Sequence, residues 1–531
     1  MKEHKKLKLK KFHLHPITSI ILATLFVIML SGILSAFEMQ ATYSKVNAAT
    51  NQLESVLVTV ESLCNYNGLK YIISNAARNF ISFTPLSTLL IALLGVCVAS
   101  ATGLLDTFFK RYMIKLDKKQ VTFLLIFLAT ISSIINDVGY AILIPLGAML
   151  FAANGRNPFA GIIAAFSGVA FGYGATIFVG SMEVNLIPAT TAAAALIDKT
   201  SHISLTSNLF IIIVTSLILS FVGTIIMEKI VIPKLGRYKE KEGIESTDEI
   251  EIIDVEKEEQ SKLEIDSKEK KGLKGALIAG IIILFIFIYS LIPGLPFSGL
   301  LLDMTETTYL NQLFGINSYF QDGFTYMVAI FLIITGIAYG IGSKTIKSDR
   351  DLFEKTSIEM KSVGSLVILI FFAAQFIAVF KKTNIGTVIT SWGANIIGSL
   401  EFTGIPLILL IIAVIAVANL FVTTPVLKWS ILSSTVVPSL MQSNITPAFA
   451  QFILRASDSM TKGITPLLAY FVIYIGYLNI YNRKKDKPIT ISQSISWLLP
   501  YCLIISLTWI LIILGWYLIG LPLGPSVFPT A

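Results

Sequence analysis

The sequence predicts an all-α polytopic membrane protein, with about nine transmembrane helices and two re-entrant helical hairpins in two inverted-topology repeats. Three observations predict it. Of 531 residues, 54% are hydrophobic and only 14% charged, a balance wrong for a soluble chain. Windows such as 209–227, 276–293 and 405–422 contain no Asp, Glu, Lys or Arg. Two further apolar stretches, 121–152 and 404–444, are interrupted at their centres, by Asn136-Asp137-Val138-Gly139 and by Thr423-Thr424-Pro425.

Taken in order, a Lys-rich cytoplasmic segment (1–15) precedes an apolar run at 16–37. That run is long enough to span and reads as a helix rather than a secretory signal peptide. The first span and an exterior segment make up 16–84. A first repeat occupies 85–232, with spans at 85–105, 157–198 and 206–230 and its hairpin at 121–152. A cytoplasmic linker, 233–272, is dense in Glu, Lys and Asp and reads as a solvated segment of mixed charge. Two connecting spans, 273–294 and 322–345, fill 273–345. The second repeat covers 361–519, with spans at 361–381, 447–480 and 493–519 and its hairpin at 404–444, before an exterior tail at 520–531.

Basic loops test this count, because cytoplasmic loops carry the excess of Lys and Arg near span ends. The segments 110–119, 234–274, 344–361 and 483–487 are rich in Lys and Arg, whereas 38–84, 199–205 and 295–321 are poorer in them. The N-terminus is thus cytoplasmic and the C-terminus exterior, with the first hairpin entering from the cytoplasm and the second from outside. The net charge of +8 is spread over these short clusters beside apolar spans, which excludes a nucleic-acid-binding domain. Cys64, Cys97 and Cys502 have no paired or metal-ligand spacing. No nucleophile motif, metal cluster or phosphate loop points to an enzyme, and no cofactor is expected beyond a coupling proton or sodium ion.

The halves match weakly in order and locally: Thr102-Gly103-Leu104 parallels Thr383-Asn384-Ile385, and Asn157-Pro158-Phe159-Ala160 parallels Thr446-Pro447-Ala448-Phe449. Each long span is broken, at Gly172-Tyr173-Gly174-Ala175-Thr176 and at Gly463-Ile464-Thr465-Pro466. Broken helices present dipole ends and freed carbonyls that hold anionic groups or sodium.

Ionisable groups within spans each need a partner or a function. Arg455 and Asp458, three apart, share a helix face, where they either pair with each other or bind an acidic substrate. Glu183, just past a break, is either a proton carrier or a helix-end carboxylate at the outer boundary. Trp429, beside the second hairpin tip, is either core packing or a platform for an aromatic ligand. Asn136, Asp137 and Asn384, with Lys428 and Lys462, are candidates for ion or proton coupling. Asp137 and Thr176 mark the candidate place for a sodium ion, and no other metal site is expected. An ammonium group, Lys462 ahead of Lys428, is expected to occupy the second-repeat cation position.

The stretches Asn79-Phe80 through Pro85-Leu86, Leu94-Gly95-Val96 to Gly103-Leu104, Asp137-Val138-Gly139-Tyr140 with Ile144-Pro145-Leu146, Gly155-Arg156-Asn157-Pro158, Ala374-Gln375-Phe376, Asn384-Ile385-Gly386 and Arg455 through Pro466 resemble the aminobenzoyl-glutamate transporter (AbgT) family. The resemblance covers nearly the whole chain. It implies a homodimer in the plasma membrane, nine spans and two hairpins per subunit, and an outline shared with divalent anion/sodium symporters. The implied activity is proton- or sodium-driven movement of p-aminobenzoyl-glutamate, other aromatic acids or sulfonamide-type antimetabolites. Carried over by position, the implied substrate-binding residues are Trp429, Arg455, Asp458, Pro447 and Pro466, with Glu183 replacing the family's Asp. The chain departs from the family at Pro425-Val426-Leu427, ahead of Lys428-Trp429, and at Lys462, where the family has an amide. A dicarboxylate or other anion symporter is the alternative, and a passive channel a second.

Overall fold

The computed structural model describes residues 14–46, 52–113, 115–135, 137–236, 266–315, 317–484 and 487–530. The N-terminal Lys cluster, most of the charged linker and Asn136 therefore lie outside the described residues.

Among the described residues, eight helices are long and apolar enough to cross a membrane, and four shorter apolar helices accompany them. α1 is Pro16–Ala36. α2, Tyr66–Ile81, leads almost directly into α3, Thr84–Ala101, and a five-residue α4 follows at Leu104–Phe108. The first interrupted stretch forms α5, Lys118–Ile131, a 3₁₀ turn at Ser132–Ile135, and α6, Val138–Ala153. The first long span splits into α7, Pro158–Gly172, and α8, Ser181–Ala194. α9 is Leu209–Ile226, α10 Ser267–Tyr289, α11 Tyr319–Ser343 and α12 Asp349–Glu359. α13, Val363–Lys382, and α14, Ile385–Ser399, precede the second interrupted stretch, α15 (Gly404–Ala418) and α16 (Pro425–Gln442). The second long span splits into α17, Pro447–Thr461, and α18, Phe471–Ile480, and α19 is Ile491–Ile519.

Local chemistry fixes several of these boundaries. Proline opens α1, α3, α7, α16 and α17 within the first two positions, where its missing N–H costs nothing. Two helices start from a left-handed residue at matching points: Gly103 (φ 85°) opens α4 and Asn384 (φ 58°) opens α14. Asparagine is one of the few side chains that enters this region readily.

The all-α expectation needs a correction in the segment after α1. Gln40–Val46 (β1) pairs antiparallel with Leu53–Thr59 (β2), in a register running from Gln40 opposite Thr59 to Val46 opposite Leu53. Both strands carry β-branched or aromatic residues, Thr42, Tyr43 and Val46 in one and Val56, Val58 and Thr59 in the other, types that favour a pleated ribbon. The segment lacks the long apolar run that marks a span. The predicted spans also leave α14 unassigned, a helix that packs on β1.

Packing joins the halves. α5 and α6 both lie against α7, and α15 and α16 both lie against α17. Across the halves, α16 packs on α8 and α6 on α18. Contact between α6 and α7 is close enough that a Cβ on Gly161 would sit 2.0 Å from the Gly147 carbonyl oxygen, so both positions require glycine. α10 and α11 pair with each other, and α11 rests on α3, forming a flank of largely exposed apolar side chains.

Candidate functional site

The four interruptions meet. At the first, Ser133 donates to the Ala175 carbonyl (3.4 Å) and Ser181 to the Ile134 carbonyl (3.3 Å), tying the turn after α5 to the break between α7 and α8. At the second, Thr465 donates to the Leu420 carbonyl and Thr461 to the Ala416 carbonyl, each at 2.7 Å, tying the end of α15 to the break after α17. The Gly174 amide donates to Ser459 Oγ at 2.7 Å and so links the first break to α17. These bonds give several backbone groups around the non-helical segments partners inside the protein.

Between these segments lies a cavity of about 260 Å³. Its wall includes Asp137 and Tyr173 from the first half, Thr423, Thr424 and Pro425 from the second interrupted stretch, and Lys462 and Tyr470 from the second break. Tyr140 stacks on Tyr470 with ring centroids 5.1 Å apart, bracing α6 against the second break. Asp137 and Tyr173 share this wall, and among the described residues Asp137 Oδ1, shielded from solvent, has no hydrogen-bond partner.

Behind the cavity sits a buried charge network. Asp458 is fully buried, with Lys428 Nζ on Oδ1 and Lys462 Nζ 3.3 Å from Oδ2. Lys428 Nζ also donates to Asn419 Oδ1 at 2.5 Å, and the Asn419 amide group donates to the Asp458 carbonyl and to Thr461 Oγ1 (3.3 Å). Lys462 Nζ lies 3.2 Å from the centroid of the Tyr173 ring, a cation–π contact that holds it at the cavity wall. Lys428 is not part of that wall.

Of the two alternatives for Arg455 and Asp458, pairing with each other is not what this arrangement has. Both oxygens of Asp458 are taken by lysines, and Arg455 Nη1 contacts Glu183 Oε1 instead, with both side chains almost fully buried. Sharing one helix face brought Arg455 and Asp458 together in sequence terms, but partners on neighbouring elements decide the pairs. Glu183 is a helix-end carboxylate, 2% exposed, whose Oε2 accepts the Gly180 amide at 2.8 Å and caps α8. Among the described residues, Arg455 Nε and Nη2 have no hydrogen-bond partner. Among Arg455, Lys428, Lys462, Asp458, Glu183 and Asp137, three cations face three carboxylates, so the cluster is balanced when all are ionised.

The remaining sequence candidates divide. Trp429 is fully buried, donates to Thr190 Oγ1 at 2.8 Å and packs between α16 and α8, away from the cavity wall. Pro447 opens α17, and Pro466 lies in the second break. Thr176 donates to the Phe178 carbonyl (2.8 Å). Asn384 faces a second cavity and donates weakly to the Thr59 carbonyl (3.3 Å). Sequence reasoning missed Asn419, Tyr173, Tyr470 and Lys381 as wall or network residues. Asn419 carried a signal, as the first polar side chain after the uncharged run of α15. Among the described residues, no group of three or more His, Cys, Asp or Glu side chains assembles as a metal site.

Paired broken helices around a polar cavity, in a chain of many apolar helices, define a polytopic membrane protein of the transporter class. The chain belongs to the AbgT putative transporter family, whose model matches residues 11–530. It is a transporter rather than an enzyme. It is 29% identical over 515 residues to the p-aminobenzoyl-glutamate transport protein of Escherichia coli (strain K12), covering 97% of this chain and 94% of that one. Among solved structures, it is similar to the YdaH transporter of Alcanivorax borkumensis, at 28% identity, with 96% of this chain and 100% of that one covered and a TM-score of 0.47. It is also similar to MtrF of Neisseria gonorrhoeae, described with a class of antimetabolite efflux pumps, at 29% identity, 97% and 98% coverage and a TM-score of 0.49.

Proposed function

We propose that the protein is a secondary active transporter that couples a proton or sodium gradient to movement of p-aminobenzoyl-glutamate or a related aromatic acid, sulfonamide-type antimetabolites included, across the plasma membrane. The observation that carries this reading is the cavity itself: both interrupted stretches and both broken spans contribute to one wall, which also holds Asp137 and Lys462. The curated relative's substrate supports the ligand class.

In this reading, 85–232 and 361–519 are inverted repeats, α5–α6 and α15–α16 are re-entrant hairpins, and the subunit works as a homodimer. The N-terminus is cytoplasmic and the C-terminus exterior. The matched left-handed starts at Gly103 and Asn384, and the paired ties at the two breaks, support the repeat. Alternating access then rocks the hairpins against the flanking helices around a fixed site.

Asp137, with its unpartnered Oδ1 on the cavity side of the charge network, is the coupling group in the first half. Lys462 supplies a built-in positive charge at the corresponding place in the second half, in the role that a bound cation has elsewhere. Coupling follows from balance: a ligand anion entering a neutral cluster brings a cation with it, or displaces an internal partner.

The test is gradient-driven flux of labelled p-aminobenzoyl-glutamate and of a sulfonamide in proteoliposomes, wild type against Asp458→Ala, with proton and sodium gradients imposed separately. Saturable flux that follows one gradient and is lost in the variant supports the reading. Flux that saturates poorly and ignores both gradients identifies a passive channel.

A further inference from the structure

A second cavity, of about 400 Å³, adjoins the first. It lies between α2 and the C-terminal end of α13, and its wall includes Asn79, Ser82, Phe83, Lys381, Lys382 and Asn384. Two residues, Ile377 and Lys381, line both cavities, so they form the boundary between them.

The two adjacent lysines at this boundary differ. Lys382 Nζ is 2.5 Å from Glu61 Oε2 and is thereby neutralised. Lys381 is exposed, and among the described residues its ammonium group makes no ion pair or hydrogen bond. Among the described residues no carboxylate belongs to the wall of the second cavity, and its polar side chains already donate within the protein, Asn79 to Gln375 Oε1, Ser82 to the Arg78 carbonyl, and Asn384 to the Thr59 carbonyl and Glu61 Oε1, which leaves Lys381 as the cation open to a ligand. On the inner side the cations are already committed, since Lys462 is shared between Asp458 and the Tyr173 ring, and Asp137 repels a carboxylate.

From these relationships we infer that the second cavity is an anion-binding vestibule, in which Lys381 takes a carboxylate of an acidic ligand while the apolar or aromatic part reaches into the inner cavity. This rests on the transport reading above. Space agrees with it: the inner cavity alone is below the roughly 300 Å³ at which small-molecule sites begin, and the vestibule supplies the rest. Charge fixes direction, because the carboxylate end is drawn to Lys381 and kept from Asp137. Lys381 is therefore a specificity-determining residue that selects dianionic over neutral ligands.

Two readouts test it. In proteoliposomes, Lys381→Asn raises KM for p-aminobenzoyl-glutamate about tenfold, the loss of one charge-assisted hydrogen bond, and Lys381→Arg restores it. An unchanged KM in Lys381→Asn overturns the inference and leaves the transport reading standing. The second readout needs no transport. Cys64 is the one exposed cysteine of the three, so a Cys64→Ser background with Ser82→Cys places a reporter thiol in the vestibule. Modification of that thiol by a sulfonate-bearing methanethiosulfonate is slowed by p-aminobenzoyl-glutamate, and the protection disappears in Lys381→Asn. Protection without flux refutes the transport reading but keeps the vestibule. No protection, or protection indifferent to Lys381, overturns the vestibule. Shielding set by phosphatidylglycerol in the vesicles, regardless of added ligand, also overturns it by assigning the anion to a lipid headgroup.

Discussion

Arg455 and Glu183 form a buried ion pair that joins the two halves of the chain, α17 to the first turn of α8, with neither side chain more than 3% exposed. Taking either partner away leaves a charge inside protein without a counter-ion. Glu183→Gln or Arg455→Met is therefore expected to cost about 3–5 kcal/mol, seen as a lower melting temperature in detergent. The double variant Glu183→Leu/Arg455→Met restores much of that stability, because no lone charge remains. Additive losses in the double variant would show that the two side chains do not interact.

Lys462 contacts Asp458 and stands over Tyr173 on the cavity wall. Replacing it by asparagine removes one positive charge and leaves Lys428 as the lysine on Asp458. Lys462→Asn is expected to make flux more dependent on sodium than in wild type, measured as the ratio of initial rates with and without a sodium gradient. Strong sodium stimulation in wild type, unchanged in the variant, refutes the idea that this ammonium replaces a cation.

Much of this architecture was legible because lipid imposes length and composition on its spans. The interruptions at Asn136-Asp137 and Thr423-Thr424-Pro425 announced themselves as polar or helix-breaking residues inside apolar runs, and the helices do end there. What the sequence hid was partner choice. Arg455 and Asp458 are neighbours on one helix, yet each takes a partner from another element, Glu183 for one and Lys428 for the other, with Lys462 also on Asp458. The β1–β2 ribbon was hidden for a different reason. Its strands are seven residues each and mix apolar with polar side chains, so neither resembles a long uncharged apolar run.

Gly174 packs against the backbone of α17, where an added Cβ would lie 2.6 Å from the Arg455 carbonyl oxygen. Backbone cannot step aside as a flexible side chain does. Gly174→Ala is expected to destabilise by about 1–3 kcal/mol and to reduce flux, since it pushes the first break off the helix that carries Arg455 and Asp458. Gly364, in α13, faces open space, and Gly364→Ala is expected to be neutral or to stabilise by up to about 1 kcal/mol through helix propensity. Thermal unfolding of the two variants side by side checks the opposite signs.

Asp458 is the shared counter-ion of two lysines, so its removal differs in kind from removal of either lysine. Asp458→Ala leaves two ammonium groups facing each other in a buried site, whereas Lys428→Met leaves Asp458 still paired with Lys462. The first is expected to be the more damaging, by at least about 1–2 kcal/mol, because an unpaired buried charge costs more than a lost contact between satisfied groups. Combining Asp458→Ala with Lys428→Met removes one of the uncompensated cations and should recover part of the loss. Melting temperatures of the three variants decide the matter. If the double variant melts below Asp458→Ala alone, Lys428 stabilises the fold by its packing rather than by its charge, and the balanced network is not what holds α16 to α17.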